Sequence, residues 1–320
     1  MQVGFIGLGQ MGRHMAARIL GAGFNLTVHD LRPEAATHLL EQGAQWANTP
    51  ENLAQSCQIV FSSLPTPQDV EQVVFGTNGL RAGWKEGDIY VDLSTNSPAT
   101  IRQIAESART VGVAVLDAPV SGGPAGAELG TLSIMVGGDA GALEQARVVI
   151  QAFAQKIFHV GDVGCGNVVK LVNNMMLATY SAIAAEGFVL GMKAGIDPQT
   201  LWDIITVSSG NSVAVQRFAQ TVLKGSFSPA FRLSLACKDM GLAIELGKQC
   251  DVPLPLGSAV QQKLIEAKAA GYGDDDVDSI ILRLEELVGV QVRSRTLSSA
   301  GGLAGKERPR SSCGQQMLVD

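Results

Sequence analysis

Lys170 and Asn174 stand four residues apart in an otherwise apolar run, so on a helix both side chains leave from one face. A lysine held beside an apolar cleft is desolvated; its pKa falls toward the operating pH, and it can then take or give a proton. The amide of Asn174 can hold an oxygen of the reacting molecule or a carboxylate. Spacing alone also permits a plainer reading, in which Lys170 reaches out to solvent and Asn174 has no special partner. Ser121-Gly122-Gly123, inside the segment Asp117 to Pro124, follows a β-branched run and offers a hydroxyl with consecutive backbone N–H groups. Such a concavity suits a small carboxylate, although a Gly/Pro turn without chemistry has the same composition. Lys238-Asp239 is a further polar spot in a helical stretch, where a solvated face is the ordinary expectation.

Gly7-Leu8-Gly9-Gln10-Met11-Gly12 directly follows the apolar run Val3 to Ile6 and opens onto helix-patterned residues. In that setting Gly7 permits the tight turn, Gly9 lets backbone approach a phosphate, and Gly12 lets the helix pack closely on the strand. The helix N-terminus then offers unpaired N–H groups to a dinucleotide's pyrophosphate. Asn25 to His29 reads as the next strand and Asp30 closes it, about 20 residues on, where an acidic residue accepts the adenosine ribose hydroxyls. A carboxylate there repels a 2′-phosphate, which favours NAD, while the nearby Arg32 leaves NADP possible.

These groups need a scaffold, and the patterning supplies one. Ile59 to Ser63, Ile89 to Asp92, Ala114 to Asp117 and Ile134 to Val136 read as further strands, separated by amphipathic stretches such as Gln68 to Phe75 and Pro98 to Thr110. Alternation of this kind predicts an α/β fold, with an N-terminal Rossmann-type, doubly wound, mostly parallel sheet. After Gly164 the strand signal stops. A helical pattern runs to Lys193, about 45 Å if unbroken, followed by Pro198 to Val207, Ala214 to Leu223, Leu235 to Gln249, Pro255 to Ala270 and Val277 to Leu287. The expectation is a nucleotide-binding domain over 1–163 and a C-terminal all-α domain over 164–292, joined by a long interdomain helix. The Arg-, Ser- and Gly-rich tail over 293–320 reads as disordered, either a solvated appendage or a basic arm for a partner.

Composition narrows the partners. With 46% hydrophobic and 17% charged residues among 320, the chain has the profile of an ordinary globular protein, and a net charge of −6 gives no field for nucleic acid. The five cysteines are scattered and make no CxxC pair, which fits a reduced cytoplasmic setting rather than a zinc site. The uncharged stretch Leu171 to Ala185 is bounded by Lys170 and Glu186, short of the roughly 20 residues of a membrane span. It reads as a buried helix. The N-terminus has no apolar h-region of a signal peptide.

Gly7 to Gly12, Asp117 to Gly123, Gly166-Asn167-Val168-Val169-Lys170-Leu171-Val172-Asn173-Asn174, and Lys238-Asp239 together resemble the signature segments of the β-hydroxyacid dehydrogenases, in family order over about residues 1 to 290. The resemblance implies an oxidoreductase that moves a hydride between NAD, or NADP, and a short 3-hydroxy carboxylic acid of the 3-hydroxyisobutyrate kind. It implies Lys170 as catalytic acid/base, Asn174 and Ser121-Gly122-Gly123 on the substrate, and Lys238 reaching toward cofactor and substrate. Leu64, Pro65 and Thr95 match positions that line the nicotinamide half of the cofactor. No metal is implied, and a homodimer or homotetramer is. Phe231, Asn211 and Met175 are candidates for the substrate pocket. Reduction of tartronate semialdehyde or another short semialdehyde is the alternative within the family. A 6-phosphogluconate-type decarboxylase is disfavoured by the short chain, and an imine reductase by the lysine at 170. In another class, the fold could serve as a catalytically silent NAD-binding sensor or scaffold.

Overall fold

The computed structural model describes residues 1–294, so most of the sequence tail, from 295 onward, lies outside the described residues. Strands β1 (Gln2–Ile6), β2 (Asn25–His29), β3 (Gln45–Trp46), β4 (Ile59–Ser62), β5 (Ile89–Asp92), β6 (Ala114–Asp117), β7 (Val120–Ser121), β8 (Leu132–Gly137) and β9 (Ala154–Gly161) fill the first half. Between them run helices α1 (Gly12–Gly21), α2 (Thr37–Glu41), α3 (Pro50–Ser56), α4 (Pro67–Phe75), α5 (Leu80–Gly83), α6 (Pro98–Arg109), α7 (Gly123–Leu129) and α8 (Ala140–Ile150). The strands form one sheet in the order β3-β2-β1-β4-β5-β6-β8-β7, with β9 attached to β8. Neighbours from β3 to β6 are parallel. β8 runs antiparallel to β6 and β7 and parallel to β9. Strand order reverses at β1, so a crevice opens beyond the carboxyl ends of β1 and β4, the position at which doubly wound sheets take ligands.

A parallel strand covered on both faces needs apolar side chains on both, and Ile59, Val60 and Phe61 of β4 and Ile89, Tyr90 and Val91 of β5 supply them. Alternate residues feed two cores. Val3, Phe5, Val28, Phe61 and Val91 pack with Met15, Ile19, Leu143 and Ile150 of α1 and α8. Ile6, Val60 and Tyr90 pack with Leu53, Val70, Ile101 and Ile104 of α3, α4 and α6. Gly4 lets α3 settle onto β1, since a Cβ there would lie 2.3 Å from Leu53 Cδ2. Helix starts follow local chemistry: Thr66 and Asp69 form a reciprocal capping box with Pro67 between them, and Ser97 and Asp139 cap α6 and α8.

The second half is helical: α9 (Cys165–Lys193), α10 (Pro198–Thr206), α11 (Val213–Phe218), α12 (Leu233–Gln249), α13 (Pro255–Ala267) and α14 (Ile280–Val288). α9 is an unbroken helix of 29 residues. It is long and apolar enough, by length and composition, to cross a membrane. One of its faces, however, packs against α11, α12, α13 and α14, with Ala178, Ala182, Ala185 and Phe188 in the helical core. Its other face is not buried as expected from sequence: Val172, Met176, Tyr180, Ile183 and Leu190 remain exposed along it. α11 stops at Phe218, short of the expected Leu223, and α14 is preceded by a 3-10 turn over Val277–Ser279. Arg293 and Ser294, which composition assigned to the tail, are held in place. Arg293 pairs with the buried Glu285 and stacks over Phe227, and the Ser294 amide donates to Leu223 O. A buried carboxylate needs such a counter-charge, which composition alone does not register.

The helical core contains its own buried charges. Arg217 pairs with Asp276 and lies 3.4 Å from Asp278, and Ser181 of α9 and Thr221 donate to the two oxygens of Asp278. Burial raises Asp278 from 3.8 to about 6; Arg217 and the two hydroxyls oppose the rise and Asp276 adds to it. The folded protein thus holds this proton more tightly than the unfolded chain. Its contribution to stability is complete below pH 3.8 and is lost as pH rises through about 6. D278N, which has no proton to lose, should escape that loss. In urea denaturation, its stability relative to the parent should improve by up to about 3 kcal/mol between about pH 4 and about pH 7.5. The same relative stability at both pH values would contradict the assignment.

Candidate active site

The glycine turn joins β1 to α1 at the crevice. The Gly7 amide donates to His29 O, and Gly7 has φ +90, with a hypothetical Cβ only 2.4 Å from the Ser63 carbonyl oxygen. Gly12 is tighter still, since its Cβ would fall 1.8 Å from Gly7 O. Gly9 differs from both. It is exposed, and a Cβ there would meet nothing within 4 Å, so its backbone faces open space. No side chain caps α1, and the Arg13, His14 and Met15 amides donate to the Gly9 and Met11 carbonyls, so an anion here would meet the amides just ahead of them, at Gln10 to Gly12. Asp30 faces this turn: its Oδ2 accepts from the Leu8 amide at 2.7 Å and its Oδ1 from the Arg32 amide at 2.9 Å. An uncapped helix, an open glycine and a fixed carboxylate beyond it fit a dinucleotide with its pyrophosphate at Gly9-Gln10-Met11 and its adenosine ribose at Asp30. The Arg32 side chain, 3.9 Å from Asp30, is 68% exposed.

The other expected cofactor positions follow neighbouring strands. Leu64 and Pro65 come after β4 and Thr95 after β5, and the Leu64 amide donates to Ser94 Oγ at 2.9 Å, tying these two loops together. Ser121-Gly122-Gly123 comes after β6. Ser121 pairs with Ser133 of β8, and Gly122 and Gly123 take φ +133 and +64 as they lead into α7. Since β1, β4, β5 and β6 are parallel neighbours, all four loops lie on one rim of the sheet.

Two helices of the second half bring lysines to this rim. From α12, Lys238 Nζ donates to Thr95 O at 2.8 Å and lies 3.1 Å from Asp239 Oδ1. From α9, Asn174 Nδ2 donates to Asp239 Oδ2 at 2.6 Å and its own oxygen accepts from Asn173. Asn174 is therefore engaged with Asp239 rather than pointing free. Asp239 is 2% exposed, and its Oδ1 receives charge from Lys238 but no well-directed hydrogen bond, leaving acceptor capacity beside the cleft. Lys170, one turn before Asn174, keeps some solvent access along its length. Crowding around its amine pushes its pKa below the ordinary lysine value; burial is the main cause, Asp239 opposes it and Lys238 adds to it. Lys170, Asn174, Lys238 and Thr95 are thus drawn together around Asp239.

Sequence reasoning passed over the groups that fix α9. Asp117, the last residue of β6, accepts the Gly164 amide through Oδ1 at 2.7 Å and the Asn167 amide through Oδ2 at 2.7 Å. It is completely buried, and desolvation lifts it to about 7 against the pull of those bonds. Asp92, which ends β5, accepts from Ser62, from the Ser94 amide and from Asn96 Nδ2. Gly166 lets the helix start press onto the strands, since a Cβ there would lie 2.4 Å from Met135 O. A carboxylate closing an otherwise apolar parallel strand is the signal that could have flagged both aspartates. Asp239 was visible only as half of a Lys-Asp pair. Of the pocket candidates, Met175 and Phe231 pack against the helical core, and Asn211 is exposed, with its amide on Thr206 O.

Comparison with known proteins identifies the family. Residues 2–161 match a family model described as the NAD binding domain of 6-phosphogluconate dehydrogenase, and residues 164–284 one described as the NAD-binding domain of NADP-dependent 3-hydroxyisobutyrate dehydrogenase. The chain is 39% identical to 2-(hydroxymethyl)glutarate dehydrogenase of Eubacterium barkeri, over 91% of this chain and 97% of that one. It is 40% identical to 3-hydroxyisobutyrate dehydrogenase of Pseudomonas aeruginosa, over 80% and 88%. A structure of Mycobacterium tuberculosis 3-hydroxyisobutyrate dehydrogenase with L-serine superposes with a TM-score of 0.82 at 34% identity, covering 88% of this chain and 98% of that one. The chain belongs to the β-hydroxyacid dehydrogenase family and is an NAD(P)-dependent oxidoreductase acting on a CH–OH group.

Proposed function

We propose that this enzyme interconverts a short 3-hydroxy carboxylate and its semialdehyde, with Lys170 as the acid/base and residues 1–163 and 164–292 serving as its nucleotide and substrate domains. The observation that carries the reading is a depressed lysine beside a buried carboxylate, at the end of the sheet that holds the glycine turn. The two named relatives act, by their names, on molecules sharing the unit HOCH2–CHR–COO⁻, and that unit is the substrate proposed here. Reduction of tartronate semialdehyde is the alternative on the same machinery. Asp30 supports NAD over NADP, because its carboxylate stands where a 2′-phosphate would be repelled.

The bound nicotinamide supplies the acceptor, and in reverse the donor, of the hydride. The protein contributes alignment and proton handling. Ser121 Oγ and the backbone amides of Gly122 and Gly123 hold the substrate carboxylate. Neutral Lys170 takes the hydroxyl proton at Nζ as the C–H bond breaks, and in reduction the Lys170 ammonium returns it to the aldehyde oxygen. Asp239, fixed by Asn174 and shared with Lys238, sets the field in which Lys170 gains and loses that proton.

We further propose that the chain is a homodimer or homotetramer, because the exposed apolar stripe on α9, with Ile183 at 60% and Leu190 at 71%, needs a cover. The described cysteines are free thiols, which fits a cytoplasmic enzyme.

K170M should bind NAD normally by fluorescence titration yet lose ~10²-fold or more in kcat on 3-hydroxyisobutyrate, L-serine or glycerate. Turnover near the parent's would remove Lys170 from its role, and nucleotide binding without turnover by the parent on any short hydroxy acid would favour a silent sensor. Because oxidation needs Lys170 neutral, kcat rises with pH through its pKa. D239N should move that rise to lower pH and K238M to higher pH, while shifts in the opposite sense would contradict the proposed field. I183D should reduce the mass measured by light scattering to that of a monomer, and an unchanged mass would place the interface elsewhere.

A further inference from the structure

Asn167 joins the start of α9 to the end of β6 and to the loop that follows β5. It is completely buried, and three residues after it comes Lys170. Its Oδ1 accepts the Asn96 amide at 2.7 Å, and its Nδ2 donates to Asp117 Oδ2 at 3.2 Å, beside the bond from its own amide to the same oxygen. Asn96 in turn donates through Nδ2 to Asp92 at 2.9 Å. The residue preceding Asn96 is Thr95, whose carbonyl takes Lys238 at 2.8 Å. The dipeptide Thr95-Asn96 thus holds α12 with one backbone group and α9 with the next.

We propose that Asn167 is a positioning residue for proton transfer, fixing the rotation and depth of the first turns of α9 so that Lys170 and Lys238 meet the same side of Asp239. The inference rests on Lys170 being the acid/base. A helix held only by apolar packing can rotate by a few degrees at small cost, and catalytic groups lose ~10²-fold in rate when displaced by about 1 Å. The directed bonds from Asn167 remove that freedom. Asn96 N and Asp117 Oδ2 are both buried, so water cannot easily replace the side chain. The charged groups around Asn167 are Asp117 on β6, Asp92 on β5, and Arg102 on α6, which donates to Val163 O next to the helix start. The bonds of Asn167 go to the Asn96 amide, next to Thr95, and to Asp117, rather than to the glycine turn or to Ser121-Gly122-Gly123, so nucleotide and substrate affinity should change far less than rate.

The test uses the full-length enzyme with K170M alongside, and the variants N167S and N167D. Rates are taken per folded active site, counted by NADH binding. N167S shortens the side chain. N167D keeps an acceptor for Asn96 N but sets a second carboxylate against Asp117. Both should lower kcat tenfold or more while the Kd for NADH and the KM for the hydroxy acid stay within about twofold, and both should displace the pH at which Lys170 titrates in kcat. N167D should be the closer to the parent at low pH, where the two carboxylates can share a proton, and should fall away as pH rises above about 7. A loss of thermal stability with kcat and its pH midpoint unchanged in whichever variant folds would reduce Asn167 to a structural bond and overturn the proposal. If K170M itself turned over normally, the acid/base reading would fail instead, so the two failures are distinguishable.

Discussion

Asp239 is a carboxylate buried at the contact between α9 and α12, with two lysines, one from each helix, drawn toward it. A buried charge of this kind is strongly unfavourable unless its neighbours compensate it. Asn174 gives it a short hydrogen bond, and Lys238 gives it charge while directing its own proton to Thr95. Lys170 is left with an attraction to Asp239 too weak to offset its desolvation, and its pKa stays depressed. The lowering on which the proposed proton abstraction relies therefore comes first from burial, with Asp239 and Lys238 acting on Lys170 in opposite senses. Removing Asp239 or Lys238 changes the field at Lys170, and for that reason their contributions will not add independently.

The sheet places these groups at the same rim as the glycine turn proposed to take the dinucleotide. Parallel neighbours end at one edge, so the loops after β1, β4, β5 and β6 lie side by side without any long-range folding device. Helix α9 must then be brought to that edge from the other half of the chain. Asp117 and Asn167 do so, with Gly166 allowing backbone contact close enough for the bonds to form. Both Asp92 and Asp117 are raised in pKa by burial, which shows that these anchors are held at a cost in solvation. That cost in solvation is offset by the two large apolar cores on the faces of the sheet.

Local signals were legible in the sequence where each element obeyed its own period. β2, β5 and β6 begin and end where their apolar runs do, and α9 ends at Lys193 as the helical pattern requires. Gly9, around which a Cβ would meet nothing within 4 Å, was read from the spacing of the glycines alone, whereas Gly7, Gly12 and Asp30 could be read because each meets a steric or charge demand fixed by the neighbouring backbone. β9 could not, because an edge strand with exposed Lys156, Phe158 and His159 has no buried period to display. β7 has two residues, too few for a period. The roles of Asp239 and Asn167 were hidden for a different reason: their partners lie 65 and 50 positions away in the chain, and no local pattern encodes such pairing. The exposed stripe on α9 was missed because an apolar helix looks buried on every side until the number of helices around it is known.

The charge state of Lys170 is the quantity on which the account turns, and it can be observed directly. Selective 15N labelling of lysine, with the Lys170 resonance assigned by its absence in K170M, allows its side-chain nitrogen to be titrated by heteronuclear NMR in the NAD-bound enzyme. The account predicts a midpoint clearly below the ordinary lysine value of about 10.4, with the Lys238 resonance also perturbed as Lys170 loses its proton. A Lys170 midpoint at or above that ordinary value, with no response at Lys238, would contradict it.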